Sequence, residues 1–312
     1  MRSTTVVFAY SEVGARCLAA LFEAKVEVCL VITHEDDPQE VRWFASVAQI
    51  ARNAGCPVIT PADPGAPEVL AQIKALAPEF LFSFYYRRML PASVLSLAQR
   101  GALNMHGSLL PKYRGRAPVN WAVLHGETET GASLHYMVEK PDAGPLVDQE
   151  AVPIGLDDTA FQVAERVAGA AVTVLRRALP GLLAGTAPAI PLDLQQGSYW
   201  GGRTPADGEL SLHWPAKRCH DLVRAVAPPF PGAFLRVGNV IIHVHRTRHW
   251  SPAAAVGAGP SLGVEAGCLL ATCGDGQRLE IVEAVVDGAA CDAARFQQIF
   301  GCDRVPTPQI GT

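Results

Sequence analysis

The sequence predicts an α/β chain, with a helix-covered sheet in its first half and a smaller β-rich domain at its end. Three observations carry this. Short β-branched runs alternate with helix-patterned segments as far as Phe84. One long apolar-striped segment runs from Asp158 to about Leu179. After Gly202 short β-type runs alternate with turns, the pattern of a small β-barrel-like domain. The division falls at residues 1–200 and 201–305.

The elements follow in order. Thr4 to Ala9 is β-branched and opens the sheet. Val13 to Ala24 places Leu18, Leu21 and Phe22 on one helical face. Val26 to Thr33 is the second strand. A helix from Gln39 to Asn53 stops at Gly55. Pro57-Val58-Ile59 is a short strand, Ala66 to Leu76 a helix, and Phe80 to Phe84 the fourth strand. Gly101-Ala102-Leu103 leads into Asn104. Asp157 or Asp158 caps the long helix, and Phe161, Ala164, Val167, Ala168, Ala171, Val172 and Leu175 form its stripe. Pro180-Gly181 ends it, and Gly185 to Pro191 reads as a linker. Glu209–His213, Phe234–Val237, Val240–Val244, Cys268–Ala271 and Leu279–Val282 are strands, with one helix at Pro215–Val226. Ser251 to Gly267, rich in Ala, Gly and Pro, is expected to be a mobile loop.

Composition excludes several classes. The chain has 312 residues, 49% hydrophobic and 18% charged, which suits a globular enzyme with a large core. A net charge of −4 argues against broad attraction to nucleic acid. The 8 cysteines form no C-x-x-C pair and read as reduced thiols. No secretory leader pattern opens the chain, and no apolar run was expected to reach membrane-spanning length, so cytoplasm is the default. Tyr10-Ser11-Glu12-Val13-Gly14 lacks a G-x-G-x-x-G, so no dinucleotide fingerprint is present.

Asn104 and His106 are the candidate chemical groups; taken as a bare N-x-H they read more simply as residues that satisfy turn backbone, and the sequence around them decides between the two. Residues two apart on a strand share a face, so a carboxamide and an imidazole address one reacting atom. An amide N–H can hold an oxyanion, and an imidazole can move a proton near neutral pH. Asp142 lies in Lys140-Pro141-Asp142-Ala143-Gly144, a turn that returns a carboxylate to the imidazole and would raise its pKa. The trio suits acyl transfer to a nucleophile brought by the substrate. Ser108 reads as a turn residue rather than a nucleophile.

The run Asn104 to Arg116, N-M-H-G-S-L-L-P-K-Y-R-G-R, closely resembles the signature of formyltransferases that use 10-formyltetrahydrofolate. Phe8-Ala9-Tyr10, Thr33-His34, Phe82-Ser83-Phe84-Tyr85-Tyr86-Arg87, Gly202 to Asp207 and Pro231-Gly232-Ala233-Phe234 resemble one branch. That branch formylates UDP-4-amino-4-deoxy-L-arabinose for lipid A modification, and hence polymyxin resistance. The resemblance covers about Thr5 to Glu283. It implies a Rossmann-like N-terminal domain, an OB-like C-terminal barrel, and catalytic roles for Asn104, His106 and Asp142. It also implies folate contacts at Arg88, Met89, Leu90, Arg116, Val138, Glu139, Lys140, Pro141 and Asp142. Some members carry a dehydrogenase half; with neither the length nor the fingerprint for it, this chain is expected to be a stand-alone formyltransferase.

Other groups have competing readings. Lys112, Arg114 and Arg116 are a solvated basic loop or an anion site for a folate tail or UDP pyrophosphate. Tyr85, Tyr86 and Arg87 pack the sheet edge or meet the uracil and sugar. Arg203 and Asp207 stand where a substrate cleft would fall. His243, His245 and His249 have metal-like spacing, but interleaved Arg246, Arg248 and Trp250 argue against a metal. Among rivals, methionyl-tRNA formyltransferase would need a basic insertion where this chain has Glu35-Asp36-Asp37. Formyltransferases for other nucleotide-linked amino sugars need the same site. Glycinamide ribonucleotide formyltransferase usually has proline at the place of Gly107 and is shorter, and an intact trio argues against a folate-binding or regulatory protein that has lost catalysis. The expected substrates are folate and a UDP-amino sugar, with no nucleic acid, membrane or metal.

Overall fold

In the computed structural model, which describes residues 4–36, 43–254 and 259–309, the first half of the chain folds around a seven-stranded sheet. The strands are β1 (Thr4–Ala9), β2 (Glu27–Ile32), β3 (Val58–Ile59), β4 (Phe80–Phe84), β5 (Gly101–His106), β7 (Glu129–Tyr136) and β8 (Leu146–Pro153). Their order is β3-β2-β1-β4-β5-β7-β8. The first five pair in parallel, and β7 and β8 add antiparallel. This is the expected Rossmann-like arrangement. β1 and β4 are almost wholly buried, as strands covered on both faces must be.

The intervening helices are α1 (Ser11–Glu23), α2 (Val47–Asn53), α3 (Pro67–Leu76) and α4 (Ala92–Leu95). Val6, Phe8, Leu30, Ile32, Val69, Ile73, Leu81 and Val94 fuse into one core cluster. β6 (Arg114–Gly115) and β9 (Tyr199–Trp200) form a separate parallel ribbon. α5 (Pro118–Leu124) and α6 (Ala160–Ala184) complete this part of the chain.

The chain divides into two compact units: residues 1–118, 129–153 and 164–201, and residues 119–128, 154–163 and 202–312. The second unit holds an antiparallel sheet with β10 (Ala233–Val237), β11 (Val240–Trp250), β12 (Ser261–Glu265), β13 (Cys268–Thr272), β14 (Arg278–Val286) and β16 (Arg304–Pro306), ordered β10-β11-β14-β13-β12-β16. β15 (Ala289–Ala290) pairs with β14, and α7 (Ala216–Val226) and α8 (Ala293–Phe300) accompany the sheet. A Rossmann-like sheet followed by a curled antiparallel sheet is the expected fold class.

Several element expectations need correction. α2 begins at Val47, because Ser46 caps it by accepting from Gln49 N at 3.4 Å; residues 39–42 of the expected helix lie outside the described residues. α6 is capped by Thr159, whose Oγ1 accepts from Gln162 N while Gln162 Oε1 accepts from Thr159 N. It runs through Pro180 and ends before Gly185, whose φ is +74°. α6 is also long and apolar enough to cross a membrane, contrary to the expectation that no apolar run reaches that length. Its Val163, Val167, Ala171, Val174, Leu175 and Leu182 are buried in the protein, the mark of a core helix.

Ile190, expected in a linker, exchanges both backbone hydrogen bonds with Leu146. Glu209–His213 is no strand: a single bridge from Glu209 to Phe234 gives way to a turn closed by Trp214 N on Ser211 O. Within the expected loop of residues 251–267, β12 pairs with β13 through a two-residue turn at Ala266 and Gly267, both at positive φ. Residues 255–258 lie outside the described residues.

Candidate active site

The end of β5 presents Asn104 and His106 beside β7, whose register sets Asn104 opposite His135 and His106 opposite Ser133. Asp142 comes back to this strand end because its turn is closed by Tyr136 N donating to Pro145 O at 2.9 Å. One carboxylate oxygen, Asp142 Oδ1, is then shared. Asn104 Nδ2 donates to it at 3.3 Å, His106 Nδ1 lies at 3.6 Å and His135 Nε2 at 3.5 Å. The geometry therefore joins the three residues singled out in the sequence and adds His135, which was passed over. Asn104 Nδ2 also stands 3.2 Å from His135 Nε2, whose ring Nδ1–H reaches Tyr136 O at 2.9 Å.

A second layer comes from the ribbon of β6 and β9. The Tyr113 carbonyl accepts from His106 Nε2 at 2.8 Å, and Gly115 N donates to Asp142 Oδ2 at 2.9 Å. The other edge of this segment is held by the 198–200 stretch. Tyr113 N donates to Ser198 Oγ, Arg114 N to Ser198 O and Arg116 N to Trp200 O. Gly115 has φ +98°, and a Cβ there would lie 2.2 Å from Trp200 O. Only glycine lets the strand lie this close to β9 while its amide faces Asp142.

The hydrogen bond to Tyr113 O fixes the neutral tautomer of His106 with hydrogen on Nε2. Its Nδ1 lone pair is left toward the carboxylate, ready to take a proton. Burial pushes the His106 pKa below its ordinary 6.5; Asp142 and the Tyr113 carbonyl pull it only part of the way back. The expectation of a net rise is thus corrected, since desolvation of the ring outweighs the anion. Asp142 keeps its charge. Burial opposes ionisation, but His106, His135 and the Gly115 N–H together hold its pKa far below the usual carboxylate range. At neutral pH the pair is a neutral imidazole beside a carboxylate, the state suited to a general base. The acid limb of kcat/KM is expected to lie below pH 6.5, with activity lost as pH falls through the His106 pKa. NMR titration of the His106 ring checks this, and a midpoint above 6.5 contradicts it.

The remaining predicted residues scatter around this centre. Val138, Glu139 and Lys140 are exposed, and Pro141 is half-buried next to Asp142. Arg88 donates to Pro61 O at 2.9 Å, Met89 is exposed, and Leu90 packs into the core cluster. Lys112 and Arg116 are exposed, whereas Arg114 is buried. Ser108 Oγ donates to Lys112 O at 2.6 Å, a turn role. Tyr86 stacks on His34 at 4.2 Å, and Arg87 lies over Tyr10. Burial, with Arg88 and Arg87, lowers the His34 pKa to about 4, so its neutral Nε2 accepts from Arg87 N.

In the second unit, Arg203 lies 4.7 Å over Trp121, and the Asp207 carboxylate is engaged by Thr204 N and Oγ1. His249 faces His220 at 5.1 Å, while His243 faces Phe234. Among the described residues no group of three His, Cys, Asp or Glu could hold a metal. Of the acidic stretch, Glu35 accepts from Thr60 and Asp36 from Ser46; Asp37 lies outside the described residues.

Residues 1–179 match the formyl transferase family model, and residues 203–300 match the model of the formyl transferase C-terminal domain. Among solved structures the chain is similar to an N-formyltransferase from Helicobacter canadensis in complex with folinic acid and dTDP-3-aminofucose. The TM-score is 0.69 at 16% identity, over 90% of this chain and 99% of that one. It is similar to WlaRD, a sugar 3N-formyltransferase, with a TM-score of 0.72 at 16% identity over 93% and 99%. HypX from Aquifex aeolicus, in complex with tetrahydrofolic acid, gives 0.63 at 15% identity over 95% of this chain and 47% of its own. At these identities the likeness is one of fold.

Proposed function

This chain belongs to the formyl transferase family, and from that premise we propose that it carries a formyl group from 10-formyltetrahydrofolate to the amino group of a nucleotide-linked sugar. The acceptor is the 4-amino group of UDP-4-amino-4-deoxy-L-arabinose, and the product serves lipid A modification, and hence polymyxin resistance, from the cytoplasm. The observation that carries the reading is the Asp142 carboxylate, which gathers Asn104 Nδ2 and His106 Nδ1 at one oxygen. Folate and dTDP-sugar ligands in the similar structures support the substrate class.

The transfer is direct. The acceptor reacts as the free amine, its ammonium proton already lost to solvent, and His106 Nδ1 takes a proton from the nitrogen as it attacks. The amine nitrogen bonds to the formyl carbon, and the carbonyl becomes an oxyanion. An Asn104 N–H turns from its resting contacts to this oxygen. His106, now imidazolium against Asp142, returns the proton to the folate nitrogen as the old C–N bond breaks. No covalent enzyme intermediate is needed. Residues 1–200 form the catalytic domain and 201–305 the second domain. Folate contacts fall on Arg88, Met89, Leu90, Arg116 and Val138 to Asp142. For Leu90, whose side chain is in the core, the contact is through backbone.

The test supplies 10-formyltetrahydrofolate with the UDP-4-amino sugar, a dTDP-linked amino sugar, or initiator methionyl-tRNA. The expected result is the highest kcat/KM for the UDP sugar and negligible formylation of tRNA at moderate salt. The acidic Glu35-Asp36 segment and negative net charge oppose a polyanion. Comparable kcat/KM for tRNA overturns the reading, and preference for the dTDP sugar moves the acceptor within its class.

A further inference from the structure

Tyr85 stands apart from the trio and from the core. It has φ +56°, a left-handed backbone that a bulky aromatic residue seldom adopts. It follows β4 directly. The β4–β5 register, Ser83 with Asn104 and Phe84 with Met105, brings Tyr85 level with His106. The ring reaches across to the next residue, Gly107. A Cβ at Gly107 would lie 1.8 Å from the Tyr85 hydroxyl oxygen and 3.0 Å from Cζ. The absent side chain at 107 is what admits the phenol beside the histidine.

The hydroxyl has no structural duty there. Among the described residues none hydrogen-bonds it, and the side chain is half-buried. A half-buried O–H without a protein partner is open to a ligand or an ordered water. Burial raises the phenol pKa further above its ordinary value, as do Cys17 and Asp142, so the proton stays on the oxygen at working pH. Tyr85 is therefore a free neutral donor beside the reacting centre. Both N–H groups of Asn104, by contrast, are already directed at Asp142 and His135.

We propose that the Tyr85 hydroxyl donates a hydrogen bond to the formyl oxygen of the donor. It would strengthen that bond as the oxygen becomes an oxyanion, acting beside Asn104, and Gly107 is the position that makes room for it. This rests on the formyl-transfer reading but not on any particular acceptor.

Tyr85→Phe removes only the oxygen and keeps the ring packing. In the full chain it is expected to lower kcat about a hundredfold, with KM for donor and acceptor nearly unchanged and the acid limb of the pH profile in place. Gly107→Ala, which displaces the phenol, should reproduce that loss. A second measurement needs no acceptor. The infrared carbonyl band of 10-formyltetrahydrofolate labelled with ¹³C at the formyl carbon is recorded on the wild type and on Tyr85→Phe. Loss of the donor should move the band to higher frequency in the variant. A band shift with a wild type that formylates no amino sugar keeps the tyrosine contact and overturns the acceptor reading instead. An unmoved band, a kcat within about twofold of wild type, or a loss confined to acceptor KM overturns the proposal.

Discussion

His106→Ala lowers kcat for formyl transfer by about two to four orders of magnitude while leaving the circular dichroism spectrum native. The size follows from what the ring does in place. Its Nε2–H is fixed on the Tyr113 carbonyl and its Nδ1 is bare beside Asp142. Alanine removes the only group so oriented among the described residues, and solvent cannot deliver a base at that position with comparable occupancy. The strand should survive, because the backbone pairing of His106 with Ser133 does not involve the ring. Steady-state turnover with a fixed donor concentration measures the loss. Near-normal kcat in a folded variant removes His106 from the mechanism.

Asp142→Asn produces a loss of similar size, about two to four orders of magnitude in kcat, for a different reason. The carboxylate receives Gly115 N on one oxygen and Asn104 Nδ2 on the other, and it is the anion that an imidazolium at position 106 would face. A carboxamide has one acceptor oxygen and one N–H₂ group. Whichever way it is turned, a donor then faces a donor. The charge is lost as well. Because Asp142 pulls the His106 pKa upward against burial, its removal lets that pKa fall further. The variant's His106 should titrate at lower pH than the wild type's, by NMR. An unchanged or higher midpoint contradicts the coupling, and retained turnover contradicts the role.

Much of the fold was readable where a strand is buried on both faces. Thr4–Ala9 and Phe80–Phe84 have the boundaries expected from their runs of β-branched and aromatic residues. Asn104 and His106 could be paired because strand alternation is a local rule. His135 could not. It meets Asn104 through antiparallel register between β5 and β7, and register is set by tertiary packing rather than by any spacing in the chain. Tyr113, Gly115 and Ser198 escaped notice because they act through backbone atoms or one short hydroxyl. Backbone donors and acceptors are the same in every residue and leave no compositional trace. The net direction of the His106 pKa is not legible in the sequence, which displays the nearby acid but not the depth of burial.

The ribbon that joins residues 113–116 to 198–200 gives the catalytic apparatus a stability of its own. It is a two-residue ladder flanked by the Tyr113 N to Ser198 Oγ bond, and at about 1 kcal/mol net per hydrogen bond so short a ribbon is small beside the 5–15 kcal/mol of a whole domain. Opening there leaves the seven-stranded sheet intact but frees the Tyr113 carbonyl from His106 and the Gly115 amide from Asp142 in one movement. The base and its counter-charge thus fail together, as one sub-global unit. On warming, activity is therefore expected to be lost before the far-ultraviolet circular dichroism signal changes.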